Sequence, residues 1–298
     1  MQRVFVALGA LYLIACGDAE PEAQKLPPAP VSVMTFNVLC SLCATKEHDP
    51  WEQRLDMFRD VFDRHDPDLV GLQELGPFGD EVGLMLERLP GRGAISFAPE
   101  DAAPYPDAAI FYRKDRFSVI ESGEYWLSPT PDVPNSNGFA TPQLPRLLVW
   151  ALLKDKAGDR EIYFASTHFD NNTPSQAMSA PLVKERTAPF AQNTPVVVLG
   201  DFNSQPSDPA WDTLTTDAGH GFAFVDAQSI AAEWSVITNQ EPPPSYDLAD
   251  RIDHIFVAGN TTDWSASSWH ADLTVYPPND RYPSDHFPIV ATLEYAKR

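Results

Sequence analysis

The chain has 298 residues, of which 43% are hydrophobic, enough to build one large core or at most two domains. It carries 42 acidic and 21 basic residues, which gives a formal net charge of -21. This balance argues against indiscriminate binding of nucleic acids, which needs an excess of lysine and arginine to displace phosphate counterions. It does not exclude a phosphate substrate held by a metal ion at a local site.

The first residues are typical of an exported lipoprotein. Arg3 precedes an apolar run, Val4–Ala15, that is too short to span a bilayer, so residues 1–15 are predicted to be a signal peptide. The run ends in the letters LIAC, which resemble the bacterial lipoprotein signal and predict lipidation of Cys16. An ordinary cleaved signal peptide is the alternative.

The segment that follows Cys16 is polar and rich in proline, so residues 16–30 are predicted to form a flexible tether. No break in composition interrupts residues 31–298, which we interpret as one catalytic domain. These features predict an exported monomer that is lipid-anchored to the bacterial membrane, at the outer membrane, in the periplasm or at the cell surface.

Two hydrophobic patterns alternate along this domain. Eight apolar or alternating runs predict β-strands, namely Val31–Val38, Asp68–Glu74, Ala108–Arg113, Leu147–Leu153, Glu161–Phe169, Val196–Leu199, Ile252–Ala258 and Phe287–Tyr295. Helical spacing predicts helices over residues 51–65 and 80–89, and Pro209 after a capping pair predicts the start of a third helix. Strands dominate, which favours an α/β fold in which one sheet packs on another.

The first predicted strand is followed by two cysteines, Cys40 and Cys43. A zinc site would need two more soft ligands, and only His48 lies near in the sequence. In an exported protein this spacing favours a local disulfide.

Polar side chains stand at the ends of several predicted strands. Some follow the last residues of a strand, while Asp253 opens one strand and Asp285 and His286 precede the last. If those two strands run antiparallel to the others, their beginnings share a rim with the others' ends. That rim would collect four carboxylates, two carboxamides and two histidines, namely Glu74, Asp201, Asp253, Asp285, Asn37, Asn203, His168 and His286.

Four carboxylates in one place repel one another unless a cation neutralises them. A set of oxygen ligands suits Mg²⁺ or Mn²⁺ better than zinc. Because such an ion would use a phosphate to complete its coordination, the pattern favours hydrolysis of a phosphoester.

Six short motifs carry a resemblance to a known family. TFNV, LQE, STHFD, LGDFNS, RIDHIF and SDH occur in this order across residues 31–295. They resemble the endonuclease/exonuclease/phosphatase superfamily, whose members include DNase I, abasic endonucleases, inositol polyphosphate 5-phosphatases and bacterial sphingomyelinases. The resemblance implies a four-layer α/β/β/α sandwich, with two packed mixed β-sheets flanked by helices, and a metal-dependent phosphoesterase.

The resemblance also implies roles for individual residues. The metal ligands would be Glu74, Asn37 and Asp285, and Asp201 would orient or deprotonate the attacking water. The remaining positions match a residue that holds water or phosphate, a donor to the phosphate oxygens and an Asp–His pair, which here are Asn203, His168, Asp253 and His286. Asp201 and His286 are both candidates for the general base, and we favour Asp201.

Three further residues are candidate phosphate contacts. Tyr112 and Arg113 end the strand in AAIFYRKDRF, and residues of this stretch reach phosphate in some relatives. The alternative is a strand end with a solvated basic turn. Arg146, in LPRLLVW, leaves a proline-rich loop that spans residues 128–145. A second proline-rich loop spans residues 241–247, and loops of this kind are usually functional or mobile.

The sequence thus predicts a Mg²⁺-dependent phosphoesterase acting outside the cytoplasm on a phosphodiester or phosphomonoester. A nuclease is placed slightly ahead of a phosphatase or a phospholipase C-like enzyme that acts on a small head group. A binding lipoprotein that keeps the fold without turnover is the alternative from another class.

Overall fold

The computed structural model describes residues 30–43, 45–75, 80–97, 107–140 and 145–297. The predicted signal peptide, Cys16 and the tether up to residue 29 lie outside the described residues. Among the described helices, none combines the length and apolar character needed to cross a bilayer.

Strands outnumber helices in the described part of the chain. The elements are β1 (Val31–Asn37), α1 (Trp51–His65), β2 (Leu69–Gln73), α2 (Glu81–Arg88), β3 (Arg92–Ser96), β4 (Ala108–Arg113), β5 (Phe117–Trp126), β6 (Leu147–Asp155), β7 (Arg160–His168), α3 (Thr173–Ala191), β8 (Val196–Asp201), α4 (Pro209–Thr215), β9 (Val225–Asp226), a short 3₁₀ helix (Ala227–Ile230), β10 (Trp234–Ile237), β11 (Asp253–Ala258), β12 (Thr262–Asp272) and β13 (Ile289–Lys297).

The strands form two mixed sheets. The first has the order β10-β12-β13-β1-β2-β4-β3, and the second has the order β5-β6-β7-β8-β11-β9. Inward-facing apolar side chains of the two sheets meet in one core, which includes Val33, Ile110, Val149, Leu199 and Ile289. Burial of this shared face holds the sheets together.

Helices cover the two outer faces. The apolar stripe of α1, with Phe58 and Phe62, packs with α2 on the outer face of the first sheet. Val183 of α3 and Leu214 of α4 pack on the outer face of the second sheet. The predicted four-layer α/β/β/α sandwich is therefore confirmed.

Strand direction brings the predicted site residues to one rim. β1 runs parallel to β2 and β7 runs parallel to β8, whereas β11 is antiparallel to β8 and β13 is antiparallel to β1. The register pairs Asp201 with His168 on one side and with Asp253 on the other. The condition set for the shared rim, that the strands at Asp253 and after His286 run antiparallel to their neighbours, is therefore met by β11 and β13.

Several elements were not predicted from the sequence. α3 contains Pro181 and Pro189, and its apolar residues do not form one continuous stripe. Its sequence pattern therefore does not indicate a helix. β5 lies at the edge of its sheet and is mostly exposed, and β12 carries small and polar residues between its tryptophans. The last strand begins at Ile289 instead of Phe287.

Asp272 ties the end of β12 to the end of α1. Its Oδ2 accepts hydrogen bonds from Arg64 Nη1 at 2.5 Å and lies 2.7 Å from His65 Nε2. Burial disfavours the carboxylate form, but hydrogen bonds from His65 and Thr274 and the charge of Arg64 outweigh burial. They lower the pKa of Asp272 to about 2.

A carboxyl group whose pKa is lower in the folded than in the unfolded chain stabilises the fold above its unfolded value, near pH 4. We therefore expect Asp272→Asn to lower the free energy of unfolding by about 2 kcal/mol at pH 7. The difference from wild type should shrink as the pH falls from 4 towards 2. Urea denaturation of both proteins measures it, with Asp60→Asn on the exposed face of α1 as control. A difference that does not change with pH would contradict this account.

Candidate active site

Asp201 lies at the centre of the rim and is almost completely buried. Its Oδ2 accepts a hydrogen bond from Asn37 Nδ2 at 3.1 Å and lies 3.3 Å from His168 Nε2 and 3.6 Å from His286 Nε2. Its Oδ1 accepts a hydrogen bond from the Asn203 backbone N–H at 2.9 Å. These donors compensate the cost of burying a carboxylate.

The residue before Asp201 must be glycine. Gly200 has φ of +154°, and a Cβ atom there would overlap the carbonyl oxygen of Thr167 on β7. The absence of a side chain lets β8 pass close to β7. This close approach places Asp201 beside His168 at the end of β7.

Asn203 follows in a left-handed backbone conformation, with φ of 47°. Its side-chain Nδ2 donates to the backbone carbonyl of Phe169 at 3.0 Å, and its backbone carbonyl accepts from Gln176 Nε2 at 2.6 Å. The carboxamide therefore braces the turn after β8 against the end of β7. Its predicted contact with water or phosphate stays a prediction.

Glu74 and Asn37 meet at the ends of β2 and β1. Asn37 Nδ2 donates to Glu74 Oε1 at 3.0 Å, and the Cys40 N–H donates to Glu74 Oε2 at 3.2 Å. Glu74 has φ of 61°, a conformation that is costly for residues other than glycine. The loop after β1, which carries Cys40, is closed by a disulfide between Cys40 and Cys43, as predicted from the sequence.

Arg54 of α1 is completely buried beneath this loop. Its guanidinium donates to the carbonyls of Leu39 at 2.8 Å, Cys40 at 3.2 Å and Pro283 at 3.2 Å. Burial lowers the pKa of Arg54 to about 10, against the charges of nearby carboxylates. Arg54 therefore ties the segment after β1 to the segment before β13.

His286 and Asp253 form a hydrogen-bonded pair, with 2.8 Å between Nδ1 and Oδ2. Burial disfavours the imidazolium, but the charge and hydrogen bond of Asp253 and the charges of Asp201 and Asp285 outweigh it. They raise the pKa of His286 to about 10. Asp285 itself is exposed, and Ser284 Oγ, which also donates to the Asn37 carbonyl at 2.7 Å, lies 3.3 Å from Asp285 Oδ1.

Asp107 is a site residue that sequence reasoning missed. It is completely buried, and its Oδ1 lies 3.0 Å from His168 Nδ1. Burial disfavours its charge, but the charges and hydrogen bonds of Arg146 and His168 outweigh burial and hold its pKa well below the usual range. Asp107 directly precedes β4, which is antiparallel to β2. The rule that located Asp253 and Asp285, an acid before an antiparallel strand, would have found it.

The structure places the three predicted phosphate contacts differently. Arg146 Nη1 donates to Asp107 Oδ2 at 2.6 Å and lies 2.9 Å from His168 Nδ1, so Arg146 helps to orient His168, and its predicted phosphate contact stays a prediction. Tyr112 and Arg113 lie at the far end of β4, where Tyr112 pairs with Leu69.

Arg113 at that end is bonded to Asp66 at 2.7 Å and to Asp115 at 3.0 Å. The prediction that Tyr112 or Arg113 reaches the substrate phosphate is therefore wrong. The strand runs away from the rim, because β4 is antiparallel to β2 and only its beginning lies beside Glu74. The alternative of a solvated basic turn describes this end of the strand correctly.

The rim fits a hard divalent cation. Within the described ranges, neither Glu74 nor Asp285 forms an ion pair with a lysine, arginine or histidine, so these two carboxylates are available to a cation. Donor atoms of Asp201, Asp253 and His286 lie within 4.8 Å of one another. Oxygen atoms of carboxylates and carboxamides are the ligands that Mg²⁺ and Mn²⁺ prefer. Glu74 also lies near Cys40 and Cys43, but their disulfide removes the thiolates that a soft metal needs.

This arrangement can position a water molecule and stabilise negative charge. Asp201 offers a carboxylate to a water proton, and His168 and His286 direct Nε2 atoms towards the same place from two sides. Asp107 and Asp253 each bond the opposite ring nitrogen and hold the ring orientation.

Comparison with known proteins is consistent with this site. The model of the Endonuclease/Exonuclease/phosphatase family matches residues 34–286. The structure of a mannosyl-6-phosphatase from Bacteroides thetaiotaomicron is 29% identical, with a TM-score of 0.74, over 88% of this chain and 99% of that chain.

Two curated relatives are more distant. Human nocturnin is 22% identical, over 90% of this chain and 66% of its own length. The 3'-5'-exoribonuclease subunit Ccr4 of the CCR4-Not complex from Emericella nidulans is 23% identical, over 91% of this chain and 53% of its own length. The chain thus spans just under two thirds of one relative and about half of the other.

The buried Asp107 generates a prediction about stability and about His168. Asp107→Asn removes the charged, completely buried partner that lies 2.6 Å from Arg146 Nη1, so we expect the free energy of unfolding to fall by about 3 kcal/mol. The ¹⁵N chemical shifts of the His168 ring should also change, because Nδ1 loses its anionic partner. Asp115→Asn, which breaks an exposed pair with Arg113, is the matched control and should change neither measurement. Unaltered His168 shifts in Asp107→Asn would show that Asp107 does not orient the ring.

Proposed function

Because this chain belongs to the Endonuclease/Exonuclease/phosphatase family, we propose that it is a metal-dependent phosphoesterase in which water attacks phosphorus at the rim around Asp201. One observation carries the proposal. His168 and His286 both direct Nε2 towards Asp201 Oδ2, next to the Glu74 and Asn37 side chains. Carboxylates, carboxamides and imidazoles in this arrangement suit phosphoester hydrolysis.

The roles of the residues follow from their contacts. Asp201 accepts a proton from the attacking water and orients it, while Asn203 shapes the turn that presents Asp201. His168 and His286 donate to the phosphoryl oxygens, where negative charge develops. A divalent cation, Mg²⁺ or Mn²⁺, held by Glu74, Asn37 and Asp285, would neutralise charge on the phosphate. Asp107 and Asp253 act through the two histidines as positioning residues.

For the substrate, we place a small phosphomonoester, with sugar phosphates as the first class, ahead of the nucleic acid that the sequence favoured. The mannosyl-6-phosphatase relative supports this order, as does the excess of negative charge, which disfavours a polyanion. The exoribonuclease relative supports a nuclease as the second candidate. A phospholipase C-like activity and a binding lipoprotein without turnover are further alternatives that the same assay separates.

We expect the full-length protein to release phosphate from a hexose 6-phosphate and from p-nitrophenyl phosphate with Mg²⁺ or Mn²⁺, and EDTA to abolish the release. Glu74→Gln and His286→Ala should each lower kcat by at least about a hundredfold. RNA, plasmid DNA and phosphatidylcholine vesicles test the nuclease and phospholipase alternatives in the same buffer. If wild type is no more active than Glu74→Gln on every substrate, the enzymatic proposal fails.

We also propose that the protein is exported, lipid-anchored through Cys16 and active as a monomer, in the outer membrane, the periplasm or at the cell surface. The letters LIAC and the proline-rich tether support this proposal.

Cys16→Ser should move the protein from the membrane fraction of a bacterial host to the soluble fraction and abolish incorporation of radiolabelled palmitate. Cys16→Ser leaves the catalytic domain unaltered, so phosphate release should remain as in wild type. Equal palmitate labelling of wild type and Cys16→Ser would exclude Cys16 as the lipidation site.

A further inference from the structure

A cavity of about 440 Å³ lies beside the rim. It is lined by residues within 245–253, a stretch that begins in the second proline-rich loop, and by the segment that carries His286. Its walls include Tyr246, Asp247, Asp250 and Phe287, together with His286 itself. Since the cavity reaches the His286 side of the reacting centre, it is placed to hold the part of a substrate attached to the phosphate.

The cavity offers hydrogen-bond acceptors, and the histidine on its wall, His286, is already balanced by Asp253 and Asp201. Asp247 and Asp250 are exposed carboxylates on its wall, and Asp253 also lines it. Asp253 is 7% exposed and bonded to His286, whereas Asp247 and Asp250 are carboxylates that a ligand in the cavity can reach. Hydroxyl groups of a ligand can donate hydrogen bonds to these two carboxylates.

Arg251 is the arginine on the cavity wall, and its guanidinium is already engaged. Nη2 donates to Asp226 at 2.7 Å, and Nη1 donates to the carbonyl of Leu248. The side chain is 7% exposed, and its charge is balanced by Asp226. An anionic group in the cavity would therefore face Asp247 and Asp250 without a free arginine to bind it.

One wall of the cavity is aromatic. The Tyr246 ring packs against Phe287 and Trp269, with centroid distances of 6.2 and 6.1 Å. Phe287 is further supported by Tyr282 at 5.0 Å. Aromatic side chains and carboxylates around one cavity suit a ring that has C–H groups on its face and hydroxyl groups at its edge.

We propose that this cavity binds the leaving group of the substrate and selects an uncharged polyhydroxylated group, such as a sugar, over an anionic one. This inference rests on the proposed phosphoesterase function and adds the substrate class and the residues that select it. Asp247 and Asp250 are the specificity-determining residues.

The asparagine variants test the carboxylates without breaking the loop. Asp247 Oδ1 accepts from the Ala249 N–H at 2.9 Å, and asparagine keeps that oxygen. In wild type we expect kcat/KM for a hexose 6-phosphate to exceed that for a hexose 1,6-bisphosphate by at least about tenfold. In the double variant Asp247→Asn/Asp250→Asn, the ratio of kcat/KM for hexose 6-phosphate to that for p-nitrophenyl phosphate should fall about tenfold, mainly through KM.

Asp212→Asn, which removes an exposed charge from α4, is the matched control and should leave both ratios unchanged. Equal losses on hexose 6-phosphate and p-nitrophenyl phosphate in the double variant would overturn the proposal. So would a wild-type preference for the bisphosphate, or for phosphocholine, whose cationic group would use the carboxylates by charge alone.

A binding measurement separates this proposal from the proposed function. Saturation-transfer NMR of a hexose 6-phosphate with the full-length protein in detergent and EDTA should show saturated ring protons for wild type. The signal should be at least threefold weaker for the double variant. Loss of the signal in the variant without turnover of any phosphoester would sustain the cavity and refute the enzyme. Equal signals in both proteins, or none in wild type, would refute the cavity even if the enzyme is active.

Discussion

The site depends on the hydrogen-bond donors that surround the buried Asp201 carboxylate. A buried carboxylate is stable only when hydrogen-bond donors or cations replace the water that it loses. Here the donors come from Asn37, His168, His286 and the backbone of Asn203, which lie in separate parts of the sequence. A change that moves one of these segments removes a hydrogen-bond donor from Asp201. The same change therefore alters the geometry of the rim and destabilises it.

The donors come from both sheets, so the two sheets must keep a fixed relative position. Polar contacts within the interface support this alignment. Gln73 Nε2 donates to Ser166 Oγ across the sheets at 3.1 Å, and Thr35 Oγ1 bonds Gln73 Oε1 at 3.3 Å. Gly71 lies against Leu199 and Ser166, where a side chain would separate the sheets. Directed contacts of this kind specify one alignment, whereas apolar packing alone would tolerate several.

The balance of charge on the rim differs from that on the rest of the domain. Elsewhere, arginines such as Arg64, Arg113 and Arg116 are bonded to aspartates. At the rim, the histidines are each flanked by two carboxylates, and Glu74 and Asp285 form no ion pair within the described chain. Carboxylates without an ion pair, gathered at one edge of the sheets, favour binding of a cation. Such a site is consistent with the membership of the chain in a family of phosphoesterases.

Periodicity was enough to predict eight of the strands and the packing of one sheet on another, and the motifs, through their resemblance to a known family, implied the four layers and the residues of the rim. Alternating and apolar runs are properties of the local sequence, so they can be recognised without the fold. An acidic residue at the end of a strand can be assigned to one edge of the sheet once the strand directions are known. α3 escaped prediction because two prolines mask its pattern, and β5 escaped because an edge strand has little apolar alternation to detect.

What the tertiary structure alone decided is which strand ends share the rim. Tyr112 and Asp107 stand at opposite ends of the same strand region, and only the antiparallel pairing of β4 with β2 places Asp107 at the site and Tyr112 away from it. The engagement of Arg146 with Asp107, and of Arg54 with four loop carbonyls, likewise involves residues that are distant in sequence. The sequence by itself determined the residue types and the packing of sheet on sheet, because these follow from local patterns, while the four layers were implied by the resemblance to a known family. The partners of each charge depended on chain direction and sheet packing, which are properties of the whole fold.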